Sequence, residues 1–257
     1  MLMLENACVF EFTPTLFAVI GATFLAGGFV KGIIGIGLPL VVVPVVATYS
    51  NPLTAVGLMF APAITSNIMQ AYQAKLTLDT VQRFWPAMVA VMIGAAIGSS
   101  FLSRAEEGPA TLVLSIVVIL FCASQFVTNL PPIPKSREPM FTAVAGVASG
   151  TIGGLSGFFG LMLVPYLFAL KLSKEDFVAT IALLYLCGVI GLYVTMGISG
   201  GLTQQGVLVS VAATVPTLLG VWLGSLLRKH VSEALFRKTL ILVLLLIAAN
   251  LLRKSLS

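Results

Sequence analysis

Ten apolar runs follow one another along this chain with only short interruptions, at 13–30, 33–49, 53–73, 84–103, 109–128, 140–155, 158–170, 177–197, 205–227 and 233–252. A helix needs roughly 20 apolar residues to cross a bilayer. The runs 53–73, 84–103, 109–128, 177–197, 205–227 and 233–252 each meet that length. The pairs 13–30/33–49 and 140–155/158–170 are shorter, and each is joined through a glycine-rich junction. Only 9% of the 257 residues are charged, against about 25% in a soluble domain. In lipid every backbone polar group must be satisfied within the chain, so a sequence of this kind spans as helices. The expectation is an all-α, polytopic integral membrane protein. Its hydrophobicity excludes a disordered chain, and its length leaves no room for a separate soluble domain.

The charge pattern fits the same class. The 14 Lys and Arg outnumber the nine Asp and Glu. They are scattered singly or in pairs over loops without interleaved aromatics, which argues against a nucleic-acid surface and for the bias of cytoplasmic loops toward Lys and Arg. Cys8, Cys122 and Cys187 are odd in number and unpatterned, and read as small apolar residues rather than a disulfide framework or metal site. Met1–Phe12 carries Glu5 and Glu11 and no basic residue. Without the basic region of a signal peptide, the first apolar run is expected to be retained.

One linker-like segment, Leu130–Pro139, holds Pro131, Pro132, Pro134 and Pro139 among Lys135, Arg137 and Glu138, and divides the chain nearly in half. The expected organisation is an N-terminal repeat at 1–129, a cytoplasmic linker at 130–139 and a C-terminal repeat at 140–257. Displaced by 122 positions, Gly28, Gly32 and Gly35 fall on Gly150, Gly154 and Gly157. Displaced by 126, Leu76-Thr77 falls on Leu202-Thr203, Gly94 and Gly98 on Gly220 and Gly224, Ser99 on Ser225, and Glu107 on Glu233. Charge bias is reversed at equivalent loops. The 50–52 loop has no basic residue and 74–83 has Lys75 and Arg83, whereas Lys171 and Lys174 mark the first equivalent loop of the second half and 198–204 has none. An inverted-topology repeat predicts this reversal, with the linker and the Arg228-Lys229-His230 turn cytoplasmic and the N-terminus outside. Arg253 and Lys254 then lie on the wrong side. A parallel repeat, each glycine-rich pair being one long broken helix, is the alternative.

Three features could carry function. The first is the pair of junctions Gly27–Pro39 and Gly150–Gly160. Glycine costs a helix about 1 kcal/mol relative to Ala, and irregular backbone survives in lipid only where it lines a cavity or packs on protein. Paired breaks at corresponding places mark the substrate site of a secondary transporter, where helix N-termini present N–H groups to an anion. Gly94xxxGly98 and Gly220xxxGly224 read instead as helix-packing motifs. The second feature is Lys31, a cation inside an apolar run. Two readings stand: an ammonium that attracts an anion beside exposed amides, or a side chain that snorkels to the interface. Gly153 stands at the aligned position, so any role is unduplicated. The third feature is Thr65-Ser66-Asn67 with Gln70, Tyr72 and Gln73, following Pro62. Ser66, Asn67 and Gln70 fall within one turn of each other and suit either oxyanion coordination or interhelical bonding. Tyr185, Tyr193 and Thr195, on the equivalent face of the second half, read as packing or interfacial residues.

No acidic residue lies deep in a span, and His230, the lone histidine, sits beside Arg228 and Lys229. No H-E-x-x-H, intramembrane aspartate pair, G-x-S-x-G or phosphate loop is present, so an enzyme is not expected, nor a cofactor or metal.

The glycine-rich first junction, its repetition after the linker, and the G-x-x-x-G of 94–98 and 220–224 resemble the TauE/SafE family over about residues 15–252. These are the sulfite and organosulfonate exporters, also called toluene-sulfonate uptake permeases. The resemblance implies a multi-pass transporter of the bacterial inner membrane for a small sulfur-containing anion: sulfite, sulfoacetate or another C2 sulfonate. It places the first motif on Gly28, Gly32, Gly35 and Gly37 and the second on Gly150, Gly154, Gly157 and Gly160.

The combined expectation is a secondary transporter working by alternating access, with the anion between the two glycine breaks. The expected substrate-binding residues are Gly28, Lys31, Gly32, Gly35, Gly37, Ser66, Asn67, Gln70, Gly153, Gly154, Gly157 and Gly160. The expected partners are the anion and the lipid bilayer, without nucleic acid, and a homo-oligomer is left open. A passive anion channel and a non-transporting scaffold are the alternatives.

Overall fold

Apolar runs become helices, and proline and glycine decide where those helices bend or stop. The computed structural model describes residues 14–124, 131–227 and 233–256, with eleven α-helices and no strand among them. Residues 1–12 and the Arg228-Lys229-His230 turn lie outside the described residues. The first half holds α1 (Pro14–Ile34), α2 (Leu38–Tyr49), α3 (Pro52–Leu58), α4 (Phe60–Gln73), α5 (Leu78–Leu102) and α6 (Glu107–Ser124). After a 3₁₀ turn at Lys135–Arg137 come α7 (Glu138–Ser156), α8 (Gly160–Ala169), α9 (Lys174–Ile198), α10 (Gln204–Leu227) and α11 (Glu233–Leu256). Among the described residues five helices are long and apolar enough to cross a membrane: α1, α5, α6, α9 and α10. The bent pair α3–α4 makes a sixth span, its two parts inclined at 45°.

That bend has a local cause. Pro62 has no N–H for the Leu58 carbonyl four residues back, and its ring crowds the same carbonyl. The run 53–73 therefore does not form the single straight span expected of it. The Ala61 amide, left over at the break, donates to Ser210 Oγ on α10 at 2.8 Å. Asn51 starts α3 by accepting from the Thr54 amide at 2.8 Å, with Pro52 in the first turn.

The glycine junctions break later than the run boundaries indicate. Helix α1 continues through Gly27, Gly28, Lys31 and Gly32 to Ile34, and α7 continues through Gly150, Gly153 and Gly154 to Ser156. The chain turns only at Gly35 (φ 84°) and Gly37 (φ 110°), and at Gly157 (φ 74°), in the left-handed region that side chains avoid. At four of these upstream glycines, Gly28, Gly32, Gly150 and Gly154, another helix backbone occupies the place of the missing side chain. A Cβ on Gly28 would strike the Thr217 carbonyl, and one on Gly32 the Val221 carbonyl, both on α10. Reciprocally, Cβ atoms on Gly220 and Gly224 would strike the carbonyls of Leu25 and Phe29 on α1. The same contact joins α7 to α5, where Gly150 and Gly154 lie on Val91 and Ala95, and Gly94 and Gly98 lie on Val147 and Thr151. Sequence order increases together along both pairs, so both are parallel.

Each half's first helix is thus packed most closely on a helix of the other half, α1 on α10 and α7 on α5. Further pairing joins α6 to α11, and α4 and α5 to α9. The ends of the helices sort into two groups. At one end Arg83 pairs with Glu138 at 2.9 Å, and the Ile133 amide donates to the Ala169 carbonyl at 3.2 Å. At the other end Lys254 pairs with Glu107 at 2.9 Å and donates to the carbonyls of Ser50 (2.6 Å) and Ala47 (3.2 Å). The broken pair α1–α2 therefore starts and finishes at the Lys254 end, and α7–α8 at the Arg83 end. Lys254, out of place under the charge rule, caps the last carbonyls of α2 and meets Glu107.

Buried side chains such as Phe24, Leu38, Leu40, Phe159, Leu163, Leu184 and Leu192 fill the space between the helices. The outward faces of α5, α10 and α11 are apolar, with Ile93, Phe101, Val215, Trp222 and Leu246 exposed, as lipid contact requires. Gly98→Val should abolish a folded, monodisperse species in size-exclusion chromatography. The obstacle is the Thr151 backbone, which cannot move aside as a side chain can, so the penalty should exceed the about 1–3 kcal/mol of ordinary overpacking. Gly21→Ala, with nothing within 4 Å of the added methyl, should behave as wild type.

Candidate functional site

The last turn of α1 lies against the middle of α4, and that contact carries the most polar chemistry in the protein's interior. Lys31 is only 6% exposed. Its ammonium donates to Asn67 Oδ1 at 2.6 Å and to Ser66 Oγ at 3.1 Å. Both acceptors are neutral, and both are buried. One turn further along α4, Gln70 Nε2 donates at 2.7 Å to the Gly35 carbonyl, which the break has released from the helix ladder. The spacing of Ser66, Asn67 and Gln70 thus serves a single purpose: one face of α4 holds both the cation and the broken end of α1.

Lys31 therefore does not snorkel. Among the described residues it has no carboxylate within ion-pair distance, the ion pairs there being Arg83–Glu138 and Lys254–Glu107. An intramembrane charge without a counter-charge is expensive and marks a functional site. An ammonium has three protons to donate, and Ser66 and Asn67 account for two.

Two cavities meet at Lys31. The larger, about 260 Å³, is lined by Lys31, Gly32, Gly35, Ser66 and Gln70, and reaches the chain end of α4 at Gln73 and Ala74 and the start of α9 at Glu175. The smaller, about 10 Å³, lies between the breaks, with Gly37, Leu38 and Pro39 on one side, Gly157 and Phe159 on another, and Asn67, Tyr185 and Tyr193 completing it. Gly37 is the N-cap of α2, and Gly160 the first residue of α8. The first amides of a helix have no partner within it and carry the positive end of its dipole. The arrangement therefore offers an ammonium and helix N-termini around the smaller cavity, which no acidic side chain lines, while Glu175 stands at the far end of the larger one.

The residues expected from sequence divide in two. Lys31, Gly32, Gly35, Gly37, Ser66, Asn67, Gln70 and Gly157 line one cavity or both. Gly28 lies on the Thr217 carbonyl, Gly154 on the Ala95 carbonyl and Gly153 against the Phe159 ring, so these three serve helix packing. Gly160 lies between Phe158 and the Tyr185 hydroxyl, 2.5 Å from either for an added Cβ. Tyr193, expected as a packing residue, donates from its hydroxyl to the Val56 carbonyl at 2.9 Å and packs edge-on against Phe60. Tyr185, given the same expectation, lines the small cavity as Tyr193 does, but without a hydrogen bond from its hydroxyl among the described residues. No group of three or more His, Cys, Asp or Glu that could hold a metal occurs among the described residues.

The family model for Sulfite exporter TauE/SafE matches residues 19–251. The chain belongs to this family. TauE/SafE proteins are membrane transporters, and the match covers both glycine breaks, the Lys31 cluster and all but the ends of the helical bundle. No curated protein and no solved structure matches the chain.

Asn67→Leu should destabilise the detergent-solubilised protein by about 2 kcal/mol, the worth of a hydrogen bond to a charged group. Adding Lys31→Met should recover most of that loss, because the stranded charge is gone. Thermal unfolding of the two single variants and the double variant measures the coupling. Additive losses would show that the two groups do not interact.

Proposed function

We propose that this TauE/SafE protein is a secondary transporter whose anionic substrate binds at Lys31, between the two glycine breaks. The observation that carries the reading is the buried ammonium held by two neutral groups with no carboxylate beside it. A small oxyanion supplies the missing counter-charge, and its oxygens accept from Lys31, from the side chains of α4 and from half-helix amides. The substrate is a sulfur oxyanion, sulfite or a C2 sulfonate such as sulfoacetate, in line with the family. Asn67 and Ser66 can each donate as well as accept, so they suit an anion's oxygens when Lys31 turns toward the substrate.

The larger cavity reaches the helix ends that carry Lys75, Arg83, Arg137 and Lys171. The positive-inside rule makes that side cytoplasmic, so the form described here is open inward and closed at the Lys254 end. The membrane is the bacterial inner membrane. The two halves, 1–129 and 140–257, are an inverted repeat joined by the 130–139 linker, a reading supported by the opposite ends at which the two broken pairs begin and by the exchange of their packing partners. Alternating access then does not swing one half against the other. The interlocked pairs α1–α10 and α7–α5 each contain a helix of both halves, so the moving bodies follow the packing: α1 with α10 against α7 with α5, and between them α4 on α10 meets α9 on α5.

Sulfite or sulfoacetate, at constant ionic strength, should raise the unfolding temperature of the purified protein, and acetate should not. Ligand at about 100 Kd adds about 2.7 kcal/mol of stability. Lys31→Met should abolish the shift. In liposomes, uptake of the shifting anion should saturate and be stimulated by the same anion inside. Unsaturable flux would make the protein a channel, and absence of both shift and flux would make it a scaffold.

A further inference from the structure

We infer that the Tyr185 hydroxyl is a substrate-binding donor, and that with the first amides of α8 it forms the wall of the anion site opposite Lys31. This rests on the anion reading above and adds a residue and a second side to it. Tyr185 is 5% exposed, and its hydroxyl makes no hydrogen bond among the described residues. Buried hydroxyls are almost always paired, and leaving one unpaired is costly. Tyr193, two turns further along α9, shows that a tyrosine in this setting can be satisfied, since it donates to the Val56 carbonyl at 2.9 Å.

The position of the Tyr185 hydroxyl supplies its purpose. It lies against the first residue of α8, where a Cβ on Gly160 would be 2.5 Å away, so glycine keeps the approach open. The N-cap residue Phe159 gives α8 no side-chain cap. The amides of Phe159, Gly160 and Leu161, the first of α8, have no acceptor within the helix and stand with the hydroxyl at its positive end. Tyr185, Phe159 and Lys31 line the same small cavity. An ammonium and amide N–H groups can only donate. Only a ligand rich in acceptors answers them all, which is an oxyanion and not a cation.

The two walls stand on different helices. Lys31, Ser66 and Asn67 stand on α1 and α4, whereas Tyr185 and Gly160 stand on α9 and α8. At about 10 Å³ the shared space is near the minimum for a single water, so an oxyanion engages Tyr185 only when α8 and α9 shift relative to α1. The larger cavity, which also ends at Lys31, is the path by which it arrives. Substrate thus meets Lys31 first and Tyr185 as the site closes.

The test uses the full chain in detergent, with sulfite and sulfoacetate titrated calorimetrically into wild type, Tyr185→Phe, Tyr193→Phe, Gly160→Ala and Lys31→Met. Tyr185→Phe should unfold at the wild-type temperature or above it without ligand, because it removes an unpaired hydroxyl. Its Kd for the anion should rise about tenfold or more, as for a lost hydrogen bond to a charged group. Tyr193→Phe should instead lower the unfolding temperature without ligand, because it breaks the bond to the Val56 carbonyl. Gly160→Ala, which pushes a methyl against the hydroxyl, should also weaken binding. Wild-type Kd in both Tyr185→Phe and Gly160→Ala, with binding lost in Lys31→Met, would overturn the inference and leave the anion reading intact. A Tyr185→Phe protein that loses stability as Tyr193→Phe does and keeps its Kd would also overturn it. No binding of either anion by wild type would overturn both.

Discussion

The structure depends on backbone meeting backbone at glycine. In lipid there is no hydrophobic force to press apolar helices together, because the solvent is as apolar as they are. Close packing and satisfied polar groups must do it. Gly28 and Gly32 on α1 fit against Gly220 and Gly224 on α10, and Gly150 and Gly154 on α7 fit against Gly94 and Gly98 on α5. The contact is too close for any side chain. It explains why helices so rich in glycine remain helices, since dispersion contact along the whole pair offsets a poor intrinsic propensity. It also holds α1 firmly enough for its last turn to carry a buried cation.

The site follows from where those tight contacts end. Beyond Gly32 and Gly154 the helices have no backbone partner of the same kind, and the chain turns at Gly35–Gly37 and at Gly157. The released groups are then satisfied one at a time. Gln70 takes the Gly35 carbonyl, Ser66 and Asn67 take two protons of Lys31, and Tyr193 takes the Val56 carbonyl. Among the described residues lining the small cavity, the buried side-chain group left without a partner is the Tyr185 hydroxyl, which faces the same space as Lys31. Under the proposed function, the third ammonium proton and this hydroxyl favour negative charge there on electrostatic grounds.

Much of this could be read from the residues alone. Lys31 was conspicuous because a cation in an apolar run is rare, and its partners were conspicuous because Ser66, Asn67 and Gln70 share one face of a helix. The helical membrane architecture followed from the length and spacing of the apolar runs. Less legible was which glycines do what. Gly28 and Gly35 look alike in sequence, yet one is helical against Thr217 and the other turns the chain at φ 84°. Only the neighbour across the interface separates them. Pro62 stands out in the sequence, but the bend at Leu58–Phe60 needed the structure. Tyr185 was hidden for a similar reason. A tyrosine with a bonded hydroxyl and one without are the same letter, and Tyr193 and Tyr185 differ only in what lies within reach of the oxygen.

The crossed glycine pairs also bear on how the protein is made. Helix α1 is the first of the described helices to leave the ribosome, and its close-fitting partner α10 is the last but one. Throughout synthesis the groove of small residues on α1 has only lipid to cover it, and lipid chains fill such a groove poorly. The α5–α7 contact, by contrast, forms between helices separated by only one other and can be completed while the second half is still emerging. Assembly therefore has a built-in order, with the α5–α7 pair as the early framework and the closure of α10 over α1 as the late step. Until that late step the last turn of α1, with its lysine, is without its final support. A protein with its chain interrupted after α9 would insert its helices and still lack the support that holds Lys31 against α4.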